Sequence, residues 1–132
     1  TEESSAASDV YKRQVIDSLV ACKFSFFGAS LEEYAEALSG VTGLEYTPQG
    51  LKQIGERIYL TERFYNLQNG IDERCDMLPE RFFQEAGSSG DGIDIKPIDR
   101  QRFIEERTKY YRIRGLDDQG RFTEPDFIGT QP

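Results

Sequence analysis

Residues 47–83 read TPQGLKQIGERIYLTERFYNLQNGIDERCDMLPERFF, and this stretch decides the fold. Thr47 is a favourable N-cap, and Pro48 suits the first helical position because its missing N–H would have no partner there. Gly70 can end the helix in a left-handed conformation. The stretch therefore predicts a helix over residues 48–69, about six turns long.

The apolar residues of this helix lie on two faces. At about 100° per residue they form one stripe and a second stripe nearly opposite. The stripes contain Leu51, Ile54, Ile58 and Tyr65, and Leu60, Phe64 and Leu67. Gly55 lies in the first stripe, where the missing side chain lets another helix approach closely although glycine costs a helix about 1 kcal/mol. We therefore expect the second half to be buried on two sides, and the helix to stand at the centre of a bundle.

Length and charge limit the class of protein. A chain of 132 residues suits one domain with a true core. The net charge of −8 argues against a nucleic-acid or anionic-membrane partner, since both need clustered Lys and Arg. No apolar run approaches the ~20 residues of a membrane span, and the first residues do not resemble a signal peptide. We predict a cytoplasmic protein without a membrane partner, either processed or part of a longer chain because it does not begin with Met.

The cysteines and the missing histidines limit the chemistry. Cys22 and Cys75 show no paired spacing, so neither a closed zinc site nor a disulfide framework is indicated. The chain contains no histidine, which removes Ser–His and Cys–His pairs and the side chain best suited to acid–base work near neutral pH. By itself the chain is poorly equipped for catalysis, and we identify no catalytic residue.

Caps and apolar periodicity predict four further helices. These cover residues 9–27, 30–42, 79–86 and 99–114. Asp9, Ser30 and Asp99 are the expected N-caps, and Ser30 forms a capping box with Glu33. Residues 1–8 are predicted to be a disordered lead-in or linker, and residues 9–132 a helical domain. The predicted fold is all-α, a compact bundle of about five helices around the long central one, with an irregular C-terminal tail.

The first two helices each present an apolar face, and the later chain contains a flexible loop. The predicted faces comprise Val15, Ile16, Leu19, Val20, Cys22, Phe26 and Phe27, and Leu31, Tyr34, Leu38 and Val41. Phe82 and Phe83 are the expected anchors of the short helix. Residues 86–92 are rich in Gly and Ser and are predicted to be a mobile loop, with one short strand near Ile93.

Three segments together resemble the C-terminal domain of the aldehyde ferredoxin oxidoreductase family. Residues 54–70, IGERIYLTERFYNLQNG, are similar to the family pattern GERIxxLxRxFNxREG. Residues 72–86, DERCDMLPERFFQEA, resemble the next family segment, which contains LPxRF. Residues 109–127, KYYRIRGLDDQGRFTEPDF, are similar to the closing YYxxRGWDxxGxPT. The order and spacing also agree, so the resemblance implies an enzyme with a tungsten- or molybdenum-bis-pterin and a [4Fe-4S] cluster.

The resemblance also implies which residues would meet these cofactors. The family motif D-x-x-G-L-C contacts one pterin, and its Cys is the fourth cluster ligand. Asp17 and Cys22 match it in identity and spacing, whereas Val20 and Ala21 stand where the family has Gly and Leu. Asp17, Val20 and Ala21 are thus implied as pterin contacts and Cys22 as a metal ligand. Valine rarely adopts positive φ, so a backbone contact there would need a different local path.

Plainer interpretations stand beside these. A lone cysteine on the apolar face of a helix most often packs in the core, and an acid outside that face, such as Asp17, is usually solvated. Cys75 is expected to be incidental. A [4Fe-4S] cluster needs four thiolates, so the other three ligands would come from an earlier domain.

The resemblance implies that the full-length protein oxidises aldehydes to carboxylic acids and passes electrons through the cluster to ferredoxin or another carrier. The partners of this chain would be the remaining domains of the same polypeptide, and the isolated chain is predicted to be inactive. The substrate and the choice between tungsten and molybdenum stay open. The alternative is an acidic helical protein–protein interaction module without catalytic activity.

Overall fold

The computed structural model describes residues 5–22, 24, 28–88, 90, 92 and 94–123. Over these residues it contains five α-helices and two strands of two residues each. They are α1 (Ser5–Ser18), α2 (Leu31–Thr42), α3 (Pro48–Gln68), α4 (Arg81–Gln84), β1 (Gly87–Ser88), β2 (Asp94–Ile95) and α5 (Arg100–Ile113). The prediction of an all-α fold is confirmed.

Helix α1 departs most from its predicted bounds. It begins at Ser5, so the predicted N-cap Asp9 is wrong and residues 5–8 of the expected lead-in are helical. This segment contains alanine, the best helix former, and neither Gly nor Pro. The helix ends at Ser18 rather than at residue 27. Residues 1–4 and 25–27, including Phe26 and Phe27, lie outside the described residues.

Helix α2 confirms both of its predicted ends. The Ser30 backbone N–H donates to Glu33 Oε2 at 2.7 Å, which completes the capping box, and Gly43 closes the helix at φ 73°. Val41 contradicts its predicted burial, with 87% of its surface exposed. Val41 lies about 80° around the helix from Leu31, whereas Leu38 lies only about 20° from Leu31. Val41 is therefore outside the buried face.

Residues 1–65 form the first of two compact units. Its core joins the first three helices through Val15, Leu31, Ala35 and Leu51. Partly buried side chains pack around it, namely Leu19, Tyr34, Leu38, Tyr46 and Ile54. A hydrogen bond of 2.9 Å from Gln14 Nε2 to Glu62 Oε1 also ties α1 to α3. The C-terminal half of α1 is therefore held firmly on one side.

Helix α3 is close to its prediction. Thr47 Oγ1 accepts a hydrogen bond from the Gly50 N–H at 3.0 Å, and Gly70 follows the helix at φ 77°. Leu60 is buried as expected, but Tyr65 is 57% exposed, so burial of the second half on both stripes is wrong. Arg63 is also buried, with only 6% of its surface exposed.

The second unit, residues 66–132, is built around α5. Asp99 caps this helix by accepting a hydrogen bond from the Arg102 N–H at 2.7 Å, as predicted. Tyr111 is 2% exposed, and its hydroxyl donates to Asp76 Oδ2 at 2.5 Å. Leu116 beyond the helix is also buried. These contacts link α5 to the segment that follows α3.

Helix α4 is shorter than predicted, covering four residues instead of 79–86. Phe83 packs edge-on against Phe103 with ring centroids 5.6 Å apart, which confirms it as an anchor. Phe82 is 41% exposed and does not serve that role. The Ile98 N–H donates to the Phe82 carbonyl at 2.8 Å and holds the approach to α5.

The expected loop and tail contain more order than their composition indicates. Within the predicted loop 86–92, Gly87 pairs with Ile95 across the hairpin of β1 and β2. This hairpin confirms a short strand near Ile93, which itself lies outside the described residues. In the tail, the Asp117 carboxylate accepts from the Arg121 N–H at 2.8 Å and closes a turn. Residues 124–132 lie outside the described part.

The turn after α3 gives a pH-dependent prediction. Asp72 accepts hydrogen bonds from the Arg74 side chain at 2.8 to 3.1 Å and from the Arg74 backbone N–H at 3.1 Å, and these lower the pKa of the carboxyl from 3.8 to about 2. A carboxyl whose pKa is lower in the folded state stabilises the fold fully at pH values above its pKa in the unfolded chain. This stabilisation is lost as the pH falls from about 4 through about 2. We expect Asp72→Asn to flatten this part of the stability–pH curve, measured by urea unfolding.

The effect of Asp72→Asn should be small because the Arg74 side chain is 79% exposed and its ion pair is screened by water. Glu85→Gln is a suitable control, since it removes one exposed carboxyl elsewhere in the same unit. Identical pH dependence in the wild-type and Asp72→Asn proteins would contradict the prediction.

Candidate functional site

The segment implied as the cofactor contact is the turn that ends α1. The Val20 N–H donates to the Asp17 carbonyl at 3.1 Å, and the Ala21 N–H donates to the Ile16 carbonyl at 3.1 Å. Val20 has φ 56°. These two hydrogen bonds around a left-handed residue form a Schellman motif, which satisfies carbonyl groups at the helix end and turns the chain away.

Val20 is the only residue other than glycine with positive φ in the part of the chain that the structure describes. The expectation that valine would send the backbone along a different path is therefore wrong. Valine adopts the left-handed conformation at the position where the family pattern has glycine. A β-branched side chain there costs about 1–3 kcal/mol. Because Val20 is 93% exposed, its side chain gains almost no packing in return.

The neighbours of Val20 divide into an anchored set and an exposed set. Val15 and Ile16 are 2% and 1% exposed, and Leu19 packs on the core of the first unit. Asp17 faces solvent, as predicted. The anchored residues thus hold the last turn of α1, while Asp17 and Val20 face solvent.

Cys22 is exposed and lies two residues beyond the turn, outside any helix. The prediction that Cys22 lies on the apolar face of a helix is wrong. The interpretation that it packs in the core is wrong for the same reason. Cys75 is also exposed, in the second unit. The described residues contain no group of three or more His, Cys, Asp or Glu side chains able to hold a metal ion.

The turn also limits how a pterin could be contacted. The N–H groups of Val20 and Ala21 already donate to carbonyls of α1. Backbone contacts from these two residues would therefore use their carbonyl oxygens, and the exposed Asp17 carboxylate could accept hydrogen bonds from the N–H groups of a pterin. The segment can accept hydrogen bonds and supply one thiolate.

Comparison with known proteins identifies the family of this chain. The family described as "Aldehyde ferredoxin oxidoreductase, domains 2 & 3" matches residues 5–127. The chain belongs to this family. The match includes the turn, Cys22 and nearly all of both units.

Individual members of the aldehyde ferredoxin oxidoreductase family show the same relationship. The tungsten-containing aldehyde ferredoxin oxidoreductase of Pyrococcus furiosus is 34% identical over 108 residues, which are 81% of this chain and 17% of the relative. The enzyme of the same name from Pyrococcus horikoshii is 33% identical over 111 residues, 83% of this chain and 18% of the relative. The chain thus spans less than a fifth of the relatives it matches.

Among the described residues, no helix is both long and apolar enough to cross a bilayer. The Schellman turn was missed because Val20 carries no local signal for a left-handed conformation. The glycine of the family pattern at this position was the one available indication.

The strained turn predicts that Val20→Gly stabilises the 132-residue chain. Glycine adopts positive φ without the steric cost, so the free energy of unfolding should rise by about 1 kcal/mol. Urea unfolding followed by circular dichroism would measure this. Val41→Gly is the matched control: it replaces an equally exposed valine inside α2, where glycine should instead destabilise. A loss of stability in Val20→Gly would contradict the prediction.

Proposed function

We propose that this chain is the C-terminal helical domain of a larger tungsten- or molybdenum-pterin oxidoreductase, which oxidises aldehydes to carboxylic acids and transfers electrons through a [4Fe-4S] cluster to ferredoxin or another carrier. The observation that supports this most directly is Cys22. This chain belongs to the family, and its motif cysteine is exposed just beyond a left-handed turn that is anchored on the core of the first unit.

Each residue of the segment has a stated role in this proposal. The Cys22 thiolate is one ligand of the cluster. The Asp17 carboxylate and the carbonyl groups of Val20 and Ala21 accept hydrogen bonds from one pterin and orient it. The bound cofactors supply the redox chemistry, oxidation at the pterin metal and one-electron transfer through the cluster. The chain would provide one wall of the site and no catalytic side chain.

The proposal is tested on the full-length protein purified without oxygen. Metal analysis should find tungsten or molybdenum together with about four irons per cluster. Aldehyde should reduce ferredoxin or a viologen dye in its presence, with one carboxylic acid formed for every two electrons. A full-length protein without either pterin metal, or one inert towards a broad set of aldehydes, would contradict the proposal.

An acidic interaction module is the alternative, favoured by the net charge of −8. The gene sequence upstream of Thr1 distinguishes the enzyme domain from the interaction module. A C-x-x-C-x-x-x-C run some hundreds of residues earlier supports the enzyme, whereas a start codon just before Thr1 supports the module. The cytoplasmic location stays a prediction.

The isolated chain is predicted to hold neither cluster nor pterin and to lack activity. It offers one matched thiolate, while Cys75 lies 53 residues further along the chain and no histidine can substitute. Purified protein should be colourless after anaerobic incubation with iron and sulfide, with no absorption in the iron–sulfur region. Stoichiometric iron in the isolated chain would contradict this expectation.

A further inference from the structure

Asn69 and Gly70 form an exposed pair just beyond the end of α3. Gly70 has φ 77°, and a Cβ at this position would meet no heavy atom within 4 Å beyond its chain neighbours. The peptide bond that joins the two residues is therefore open to water. Asn66 is the other asparagine of the chain; it is also exposed, but it lies within α3 and is followed by Leu67. The two asparagines thus differ in the residue that follows them.

The side-chain amide of an asparagine can be attacked by the backbone nitrogen of the next residue. In this chain the Gly70 nitrogen, after giving its proton to hydroxide, would form a bond to Asn69 Cγ. The bond from Cγ to Nδ2 then breaks, and the leaving nitrogen takes a proton from water and departs as ammonia. Water opens the resulting succinimide at either carbonyl and yields aspartate or isoaspartate, without any change of oxidation state. Glycine favours the attack because it has no Cβ to crowd the nitrogen.

A Schellman turn holds the attacking nitrogen while the end of α3 is intact. The Gly70 N–H donates to the Leu67 carbonyl at 3.1 Å, and the Ile71 N–H donates to the Asn66 carbonyl at 2.9 Å. The Gly70 proton is thus engaged by a carbonyl, and the backbone around it is fixed. The reaction therefore requires local opening of the turn, which an exposed helix end undergoes much more often than the whole fold unfolds.

We propose that Asn69 is a site of spontaneous deamidation, and that opening of this turn sets the rate of the reaction. The modification also changes the turn. Either product adds a negative charge at the C-terminus of α3, where the helix dipole disfavours it. Isoaspartate in addition inserts a methylene group into the main chain before Gly70, so the two hydrogen bonds of the turn lose their common register. Deamidation would thus open the end of α3 permanently as the protein ages.

Incubation of the 132-residue chain in mildly alkaline buffer, followed by peptide mass spectrometry, tests the site. Asn69 should lose its amide at least about tenfold faster than Asn66, because only Asn69 precedes a glycine. In the chain unfolded in urea the loss at Asn69 should be faster again, by about tenfold or more, because no turn holds the nitrogen. An unchanged Asn69 in the folded chain would overturn the proposal, as would loss of both amides at the same rate.

Substitutions at Ile71 test whether the turn sets the rate. Ile71→Pro removes the N–H that donates to the Asn66 carbonyl, so Asn69 should deamidate at least about threefold faster. Ile71→Ala retains this N–H and is the matched control, which should deamidate at the wild-type rate. Equal rates in the two variants would overturn control by the turn. Equal rates in the folded and the unfolded wild-type chain would overturn it as well, and this comparison does not depend on the folding of a variant.

Hydrogen exchange measures the effect of deamidation on the turn. In the deamidated chain the amides of Gly70 and Ile71 should exchange at least about tenfold faster than in the fresh chain. Asn69→Gln, incubated in the same way, is the control and should keep its initial exchange rates, because the longer side chain closes the ring far more slowly. Unchanged exchange at these two amides after deamidation would contradict the proposed opening of the helix end.

Discussion

Cys22→Ser in the full-length protein is expected, under the proposed function, to remove at least one of the four irons of the proposed cluster and the electron transfer that depends on it. A serine hydroxyl at neutral pH is protonated and is a much weaker iron ligand than a thiolate. Cys22 is exposed just beyond the turn that ends α1, so cysteines from another part of the protein could bind the same cluster. Iron analysis and the visible spectrum of anaerobically purified protein would measure the loss.

Cys75→Ser is the matched control for this variant. It makes the same chemical change at another exposed cysteine, but in the second unit and outside the family motif. Its iron content and spectrum should equal those of the wild type. An unchanged cluster in Cys22→Ser would contradict the proposed ligand, and equal damage in both variants would show that cysteine loss acts through general destabilisation.

Leu51→Ala in the 132-residue chain is expected to lower the free energy of unfolding of the first unit by about 2–5 kcal/mol. Leu51 is 2% exposed and belongs to the core that α3 shares with Val15 and Leu31. Truncation removes buried apolar surface and leaves a cavity that rigid neighbours fill only in part. Urea unfolding followed by far-ultraviolet circular dichroism would show an earlier transition.

Val41→Ala is the control for Leu51→Ala. Val41 is 87% exposed, so its truncation should change the free energy of unfolding by no more than about 0.5 kcal/mol. Hydrogen exchange would assign the loss to residues 1–65, because the two units need not unfold together. A Leu51→Ala protein as stable as Val41→Ala would contradict the assigned core.

Much of the candidate site could be predicted from sequence, but by resemblance rather than by local physics. The motif spacing selected Asp17 and Cys22, and the structure places both on the exposed side of the α1 terminus. The roles of these residues as pterin contact and cluster ligand stay predictions. Local reasoning placed Val20 and Cys22 on a helical apolar face, since nothing within their own stretch marks the end of the helix.

By itself, the sequence determined the helical class and most helix ends. Ser30, Thr47 and Asp99 cap their helices as predicted, and Gly43 and Gly70 follow two of them with positive φ. These features depend on hydrogen bonds and sterics within about four residues, so a short stretch of sequence contains the information.

Tertiary structure alone decided which apolar residues are buried and where α1 ends. Ile16 and Leu19 are held inward by packing, whereas Val41 stays 87% exposed. Packing of α1 on α2 and α3 can stabilise a left-handed valine that its own propensity disfavours. Burial depends on contacts between residues far apart in the chain, and these contacts outweigh a local preference of about 1–3 kcal/mol.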